Sequence, residues 1–499
     1  MPGCEYFHDL ADKTIDMNFA RAIGVLILAA ATSLSACVSI GPDYQRPSAP
    51  VPQRYKELGD WKPIEPKAAA SDLLWWSIYD DPILDELERQ VTVSNESLRA
   101  SEANYRQALE LVAESRAGYW PTVSANASAQ RARAESSAPG SHTVYNQFSP
   151  TLGASWVPDI WGKIRRAVES SAANAQASAA DLAAARLSLQ STLATDYFAL
   201  RIDDELKRLY EATVKAYQES LEITRNQFEA GTAAETDVIT AETQLLGGQA
   251  QLIGIGVQRA QLEHAIAVLI GKTPDQFSIE PITFARNVPV VPAGMPSTLL
   301  ERRPDIAAAE RAAAAASAQI GVAISAYYPS ITLTGSVGYA SSALAGLLQT
   351  ANYVWATGGQ LSETLFEGGL RRAQVGAARA AYDAAVASYR QTVLNAFQQV
   401  EDELSALRIL EEQEEVLKRT VESAREAVRL TLYQYEAGTV AYTSVVTVQA
   451  IALADEQNLL TTLGSQLNAS VALVAALGGG WNSQMLVQQA SGPARGDSH

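Results

Sequence analysis

The chain has 499 residues, of which 38 are basic and 55 acidic, and its formal net charge is −17 at pH 7. An acidic chain of this kind is unsuited to nucleic acid, whose binding proteins carry basic surfaces, so no nucleic-acid partner is expected. Its two cysteines, Cys4 and Cys37, both lie near the N-terminus, which excludes a disulfide framework and cysteine–metal sites from the rest of the chain.

The first predicted element is a lipoprotein export signal. Arg21 precedes an apolar run over 23–31 that is too short to cross a bilayer. The run leads into Leu34-Ser35-Ala36-Cys37, which resembles the lipobox of bacterial lipoproteins. We therefore predict a signal peptide over 1–36 and a lipidated Cys37; an ordinary signal peptide with an incidental cysteine is the alternative. Translation is expected to start at Met17, because the residues before it are acidic. The mature chain keeps 36 basic and 51 acidic residues, a charge of −15.

Residues 37–70 form a proline-rich tether, and the chain after it contains an internal sequence repeat at an offset of about 207 residues. Two landmarks carry the repeat: 117–123 returns as 325–331, and 228–232 returns as 435–439. We predict a first structural repeat over 71–282, a second over 283–485, and a flexible tail over 486–499.

Each repeat contains two runs in which small or apolar residues alternate with polar ones. The predicted strands cover about 119–130, 144–161, 327–339 and 352–366. These lengths suit a tilted membrane strand, and aromatic residues such as Trp120, Trp156 and Tyr328 lie at the ends nearest the helices, as expected at a bilayer interface. A small soluble β-meander is the alternative.

Two stretches predict very long helices. Residues 162–230 contain no proline and no internal glycine, and at about 1.5 Å per residue they would extend roughly 100 Å. Their counterpart runs from about 370 to 437. Helices of this length pack side by side, either in the wall of a helical barrel or as a coiled coil without a lumen.

A glycine follows each long helix, at Gly231 and Gly438, and predicts a tight reversal into a returning helix. Thr232 with Glu235 is predicted to form a capping box at the start of the first returning helix.

Residues that carry catalysis or bind metals are not grouped in this sequence. The four histidines are scattered, and no nucleophile elbow is present. Gly271-Lys272-Thr273 imitates the end of a phosphate-binding loop, but it lacks the upstream glycine and follows a helical pattern. We expect no catalytic residue, no metal site, no enzyme activity, and no cofactor besides the covalent lipid on Cys37.

Several motifs together resemble the outer-membrane efflux protein family of TolC-like channels, and most closely its lipoprotein members of OprM or NodT type. The most specific is Leu299-Leu300-Glu301-Arg302-Arg303-Pro304-Asp305-Ile306. It is joined by Gly41-Pro42-Asp43-Tyr44, Trp75-Trp76 with Asp81-Pro82, Asp159-Ile160-Trp161-Gly162, and the two Ala-Gly-Thr tips. The similarity extends from Cys37 to about Trp481.

The resemblance implies a mixed fold of α-helices and transmembrane β-strands. Three chains would form one 12-stranded β-barrel, four strands per chain, continued by a long periplasmic α-helical barrel with an equatorial belt made of 38–70, 272–300 and 480–499. The strand count agrees with this, because four strands are too few to close a barrel.

The function implied is that of the outer-membrane exit channel of a tripartite, RND-type efflux pump, with a periplasmic adaptor protein and an inner-membrane transporter as partners. Localisation would be the outer membrane, with a lipid anchor and a large periplasmic part. The acidic chain favours a cation-selective lumen. The alternatives are the outer-membrane channel of a type I protein secretion system and a non-porous periplasmic lipoprotein scaffold.

The resemblance also assigns roles to residues near the helix reversals. The helix tips expected to contact the adaptor are Gly231, Thr232, Asp237, Gly438, Thr439 and Tyr442. Tyr435 and Thr447 are candidates for the periplasmic gate; for Tyr435, plain packing beside the glycine is an equal alternative.

Overall fold

The structure is a computed structural model. It describes residues 40–57, 74–135, 142–282, 284, 288–291 and 296–485. The predicted signal peptide, Cys37 and the predicted tail over 486–499 lie outside the described residues.

Both halves of the chain contain the same series of helices and strands. The first half consists of α1 (Pro82–Ser94), α2 (Glu96–Ala117), β1 (Thr122–Glu135), β2 (His142–Trp156), α3 (Lys163–Glu229) and α4 (Glu235–Leu269). The second consists of the single turn α5 (Leu299–Arg302), then α6 (Pro304–Ser325), β3 (Ser330–Tyr339), β4 (Tyr353–Ser362), α7 (Leu370–Glu436) and α8 (Tyr442–Ala476). The long helices α3 and α7 have 67 residues each, and α4 and α8 have 35 each.

Contacts divide the chain into two compact units. Within the described residues, the first comprises 40–46, the stretch 109–174 and Ala313–Ala384, and it contains all four strands. The second comprises the described residues of 47–108, 175–312 and 385–485, and it contains α4, α8 and the ends of α3 and α7 that lead into them.

The first unit is built on one antiparallel sheet with the strand order β1-β2-β3-β4. The register pairs Val123 with Ala154, Leu152 with Val337, and Val337 with Trp355. Because side chains alternate between faces along a strand, this register gives the sheet two different faces.

One face of the sheet is apolar over most of its height: Val123, Ala125, Ala127, Ala129, Phe148, Pro150, Leu152, Ala154, Trp156, Ile331, Leu333, Val337, Tyr339, Tyr353, Trp355, Leu361. The other face carries glycines, Ala356, Val354 and, for the most part, polar residues without charge: Thr122, Ser124, Asn126, Ser128, Gln130, Gln147, Ser149, Thr151, Thr332, Thr334, Ser336, Gln360. The two outer edges, on β1 and β4, have no strand partner among the described residues.

The strand ends differ from the predicted ones, and in each case the backbone N–H donors or the neighbouring strand explain the difference. Strand β2 ends at Trp156 rather than 161, because Pro158 follows and lacks the N–H that a ladder needs. Strand β4 ends at Ser362 rather than 366, because its partner β3 begins at Ser330, directly after Pro329. Strand β1 continues to Glu135 rather than 130, because it pairs with β2 along its whole length.

The second unit has a large apolar core. It gathers buried side chains from α1, α3, α4, α7, α8 and the short helical turn Trp75–Tyr79 before α1, among them Trp76, Leu84, Phe198, Ile266, Val400 and Leu467. Helix α8 is the one described helix that is long and apolar enough to cross a membrane, with a mean hydropathy of 1.3 over its most apolar window. The protein itself buries 61% of that window, as expected of a core helix.

A buried ionic cluster fixes the segment after α4 against α3 and α4. Arg201 is fully buried and donates to Asp204 at 3.1 Å and to the carbonyl of Glu280 at 2.9 Å. Arg259 donates to the same Asp204 at 2.7 Å and to the carbonyl of Ile279 at 2.6 Å. Removing one member of such a cluster leaves a buried charge unpaired, which costs about 3–5 kcal/mol.

Candidate functional site: the helix tips and the N-terminal tether

The two reversals expected at Gly231 and Gly438 have the same backbone geometry. Their φ angles are 74° and 72°, in the left-handed region that glycine adopts without strain. The following threonines close the last turn in the same way, because the N–H of Thr232 donates to Gln227 O at 2.8 Å and that of Thr439 to Gln434 O at 2.9 Å. Each threonine hydroxyl donates to the same carbonyl as its own N–H.

The capping box predicted for Thr232 and Glu235 is wrong. The hydroxyl of Thr232 caps the helix that ends rather than the one that begins, because it points back to Gln227. Helix α4 has Ala234 at its N-cap position, and Asp237 accepts a hydrogen bond from the Ala234 N–H at 3.4 Å. Asp237, expected to contact an adaptor, therefore has a role within the tip.

Below the reversals, α3, α4, α7 and α8 share a small apolar cluster. We call it the tip core; its buried members are Leu221, Ala241, Tyr435, Tyr442 and Val445. The rings of Tyr435 and Tyr442 lie 5.2 Å apart. Tyr442 is 1% exposed, whereas Gly231, Thr232, Gly438 and Thr439 are exposed, and the adaptor contact expected of Tyr442 stays a prediction.

Tyr435, a gate candidate, is also enclosed by the tip core. It is 5% exposed, and its hydroxyl donates to Thr224 at 3.3 Å. Burial raises the pKa of Tyr435 above its usual value and that of Tyr442 to about 12, so both phenols are neutral at physiological pH. The geometry matches the alternative reading of Tyr435 as a packing residue.

A polar layer that sequence reasoning missed lies next to the tip core. Gln449 donates to Ser220 at 3.1 Å, Gln244 donates to Gln449 at 3.0 Å, and the Tyr442 hydroxyl donates to Gln244 at 3.3 Å. Buried amides bonded in this way fix the register between helices, because a shift would leave them unsatisfied. In the sequence, the one sign of such a layer is that Gln244 and Gln449 interrupt apolar helical patterns.

Thr447, the other gate candidate, is exposed, and its hydroxyl donates to the carbonyl of Thr443 at 2.8 Å on its own helix. Charged contacts lie elsewhere on α7 and α8. Arg425 pairs with Glu456 at 2.7 Å, and Arg429 lies 5.4 Å from the ring centre of exposed Tyr433. The structure therefore does not bring Tyr435 and Thr447 together in one exposed constriction.

In the first unit, a clamp holds the start of the tether. Arg166 is buried and donates to the carbonyls of Ile40 and Gly41 and to the carboxylate of Asp43, at 3.2, 3.4 and 2.8 Å. A Cβ on Gly41 would lie 2.5 Å from the Cα of Gly321, so both positions exclude larger side chains. The clamp holds the chain a few residues after Cys37.

The Leu299–Ile306 motif has a structural role in the second unit. Arg303 donates to the carbonyl of Ala476 at the end of α8, at 2.9 Å, and pairs with Asp305 at 2.6 Å. Gly478 passes so close to Arg302 that a Cβ would lie 2.1 Å from its carbonyl oxygen. The motif thus joins the end of α8 to the beginning of α6. Among the described residues, no group of histidine, cysteine and acidic side chains is arranged to hold a metal ion.

Comparison with known sequences assigns the family. The profile described as "Outer membrane efflux protein" matches residues 87–272 and 295–479, which is well over half of the chain. The chain belongs to the outer membrane efflux protein family. It is similar to the probable efflux pump outer membrane protein TtgC of Pseudomonas putida, with 32% identity over 468 residues, 92% of this chain and 96% of that relative. It is also similar to nodulation protein T of Rhizobium leguminosarum bv. trifolii, with 28% identity over 472 residues, 90% of this chain and 96% of that protein.

Solved structures agree with the assignment. The outer-membrane channel OprN superposes with a TM-score of 0.81 at 30% identity, covering 89% of this chain and 99% of OprN. The open-state MtrE channel of Neisseria gonorrhoeae superposes with a TM-score of 0.78 at 28% identity, covering 89% and 99%. The family member described here is thus an outer-membrane channel protein of an efflux system and not an enzyme, and the resemblance inferred from the sequence motifs is confirmed.

Proposed function

We propose that three copies of this chain form one exit duct that passes drugs or other small molecules through the outer membrane. The duct receives its cargo from an RND-type inner-membrane transporter through a periplasmic adaptor protein. Conduction is passive, since passage of small molecules through an open channel needs no catalytic side chain.

One observation carries the proposal: a sheet of four strands with two open edges, one apolar face and one uncharged polar face. Open edges leave rows of backbone N–H and C=O groups without partners, which a bilayer does not tolerate. Edge β1 of one copy pairing with edge β4 of the next satisfies these groups. Three copies supply twelve strands, enough to surround an open lumen.

The sheet also changes the expectation about ion selectivity. The polar face that would line the lumen carries threonine, serine, asparagine and glutamine, and no charged residue between Thr122 and Gln130 or along β3 and β4. Uncharged walls give the strand section little preference between cations and anions. A cation preference, which the charge of −15 per mature chain favours, has to arise in the helical section.

The exposed reversals support an adaptor contact. Gly231, Thr232, Gly438 and Thr439 present two equivalent tight turns, and the tip core with Tyr442 holds them rigid from below. A rigid pair of exposed turns suits a partner that itself presents helical hairpins, because little ordering entropy is lost on binding.

The clamp supports the proposal that Cys37 carries a lipid anchor. Arg166 and the two apposed glycines hold residues 40–43 beside the helix α6 that precedes β3. A chain fixed at residue 40 leaves only two residues, 38 and 39, before Cys37, so an acyl chain on Cys37 would insert near the helix-proximal ends of the strands.

Cysteine cross-linking across the sheet edges tests the trimer. If Cys37 is acylated, introduced cysteines are the only free thiols of the mature chain. We combine Ala125→Cys in β1 with Trp355→Cys, Thr357→Cys or Gly359→Cys in β4, which all lie on the same face of the sheet. At least one pair should give covalently linked trimers in outer-membrane fractions.

The control replaces Ala125→Cys by Leu152→Cys in the central strand β2, whose edges are already paired. Conductance of the purified protein in planar bilayers is measured on the same samples. Cross-linking no stronger than in the control, together with no conductance, would refute the shared barrel.

A further inference from the structure

A pair of arginines marks the end of the apolar face of the sheet that is furthest from the helices. Between Thr122 and Gln130 on β1, between Gln147 and Trp156 on β2, and along β3 and β4, no residue is charged. The first charges beyond this band are Arg131 and Arg133, near the end of β1 that leads into the β1–β2 connection.

The register places both arginines on the apolar face. Arg131 pairs with Asn146 and Arg133 with Val144, in the same alternation that places Ala129 opposite Phe148. Gln130 and Ala132 point to the other face. Both charges therefore project to the side that faces lipid in the proposed barrel, and the intervening residues do not.

Aromatic side chains lie just below the arginines on this face. Phe148 is level with Ser341, to which its N–H donates at 2.8 Å, and Tyr339 contacts Tyr353 with ring centres 5.8 Å apart. Aromatic rings of this kind lie at the headgroup level of a membrane. At about 3.4 Å per residue, Arg131 lies roughly 7 Å beyond Phe148 along the strand, and Arg133 about 7 Å further.

Both side chains are exposed, and neither guanidinium has an ion-pair or hydrogen-bond partner among the residues whose side chains the structure describes, which on β1 end at Arg133. Two guanidinium groups at headgroup height suit phosphate, which arginine binds through two parallel N–H donors. Asn146, opposite Arg131, adds an amide donor at the same level.

We propose that Arg131 and Arg133 bind the phosphate groups of lipopolysaccharide in the outer leaflet. The inference depends on the proposed barrel, because that barrel turns the apolar face to lipid and the β1–β2 connection to the cell exterior. The arginine pair then fixes the height of the barrel in the membrane and couples the channel to the lipid that surrounds it.

The test uses the purified full-length protein in detergent, titrated separately with lipopolysaccharide, phosphatidylcholine and inorganic phosphate. Replacing both arginines (Arg131→Gln with Arg133→Gln) should weaken lipopolysaccharide binding about 25-fold, since each basic residue near an anionic lipid surface contributes about fivefold. Phosphatidylcholine binding should not change, and inorganic phosphate should bind far more weakly than lipopolysaccharide.

A matched control keeps the net charge of the protein and changes only the face of the sheet that carries one of the guanidinium groups. Arg131→Ala combined with Ala132→Arg moves one guanidinium to the polar face, and this variant should lose as much affinity as Arg131→Gln alone. Equal lipopolysaccharide affinity of wild type and the double glutamine variant would overturn the inference, and so would binding of inorganic phosphate as tight as that of the lipid. Planar-bilayer conductance of the same samples separates the two proposals, because a conducting protein with unchanged lipid affinity refutes only this one.

Discussion

Removing only the hydroxyl of Tyr435 tests whether this residue gates the channel or packs the helix tips. The hydroxyl donates to Thr224 at 3.3 Å, and Thr224 donates in turn to the carbonyl of Ser220 at 2.8 Å. Tyr435→Phe therefore leaves the donor of Thr224 satisfied, and we expect it to cost about 0.5–1 kcal/mol in stability.

Removing the ring is a much larger change. Tyr435→Ala leaves a cavity beside the ring of Tyr442 in the tip core, and such truncations of buried aromatic residues cost about 3–5 kcal/mol. The loss concentrates in the tips, because the contacts of this ring lie there. Amide hydrogen exchange should therefore accelerate around Leu221 and Val445 while the core of α3 near Phe198 keeps its protection.

The measurements are hydrogen exchange by mass spectrometry and single-channel conductance in planar bilayers. Tyr433→Phe and Tyr433→Ala are the matched controls, since that ring is on the same helix and exposed, and neither should change exchange in the tip core. A Tyr435→Phe channel with higher resting conductance and unchanged exchange would contradict the packing role and restore the hydroxyl as part of a gate.

Three further predictions concern other sites. Burial raises the pKa of Glu88 to about 9 from 4.5, so the folded state keeps a proton that the unfolded state releases and stability falls as pH rises between these values. Between pH 4.5 and 7 this loss of stability amounts to about 3 kcal/mol, and Glu88→Gln should remove it. The thermal midpoint of Glu88→Gln, followed by circular dichroism, should then no longer fall with pH, whereas that of the exposed control Glu102→Gln should fall as in the wild type. At Gly438 a Cβ meets no atom within 4 Å, so Gly438→Ala should cost only the strain of its φ, about 1–2 kcal/mol, and Gly438→Asn less, measured by hydrogen exchange at the tip. In Gly321→Ala the Cβ would lie 2.8 Å from Arg166 and 2.9 Å from the carbonyl of Ile40. The free-energy cost of this overlap should exceed the gain in helix propensity, so residues 40–46 should become accessible to protease. An unchanged cleavage rate would contradict the clamp.

The long helices were predictable almost to the residue because local chemistry fixes both ends. Helix α3 was expected over 162–230 and spans Lys163–Glu229, since Gly162 and Gly231 both adopt positive φ and the sequence between them has neither proline nor internal glycine. The alternation along β1 predicted its two faces for the same reason, because the period of a strand is local. Strand β2 stops because of Pro158, and β4 stops where its partner β3 begins. The alternation of residues along a single strand does not indicate either end.

The helix tips were predictable only in outline. The reversals follow from Gly231 and Gly438, but the partner of a threonine hydroxyl depends on which of two adjacent helices it points to, and Thr232 caps the helix that precedes it. Tyr435 and Tyr442 lie in helical patterns that are apolar on more than one side, so the sequence does not say which side is covered within the protomer. Packing of four helices decides this, and it buries both rings.

The two repeats differ in one respect that bears on assembly. Helices α4 and α8 have equal length, yet fifteen residues of α8 are buried and only four of α4. The apolar residues Ile239, Leu246 and Ile253 of α4 follow one another at intervals of seven and are 58, 57 and 76% exposed. A seven-residue apolar repeat is the pattern of a helix that packs on another helix.

In the proposed trimer this face of α4 is where the next copy packs. Ile253→Glu would then bury a charge at each of three equivalent contacts, at several kcal/mol each, and trimers should dissociate at lower temperature on gels. Helix content should stay unchanged, because Ile253 has few contacts within its own chain, and the exposed neighbour Gln251→Glu should leave the trimer intact. Trimers of Ile253→Glu that resist heat as well as wild type would show that the face of α4 points to solvent, and the packing of the helical section would then have to rest on α7 instead.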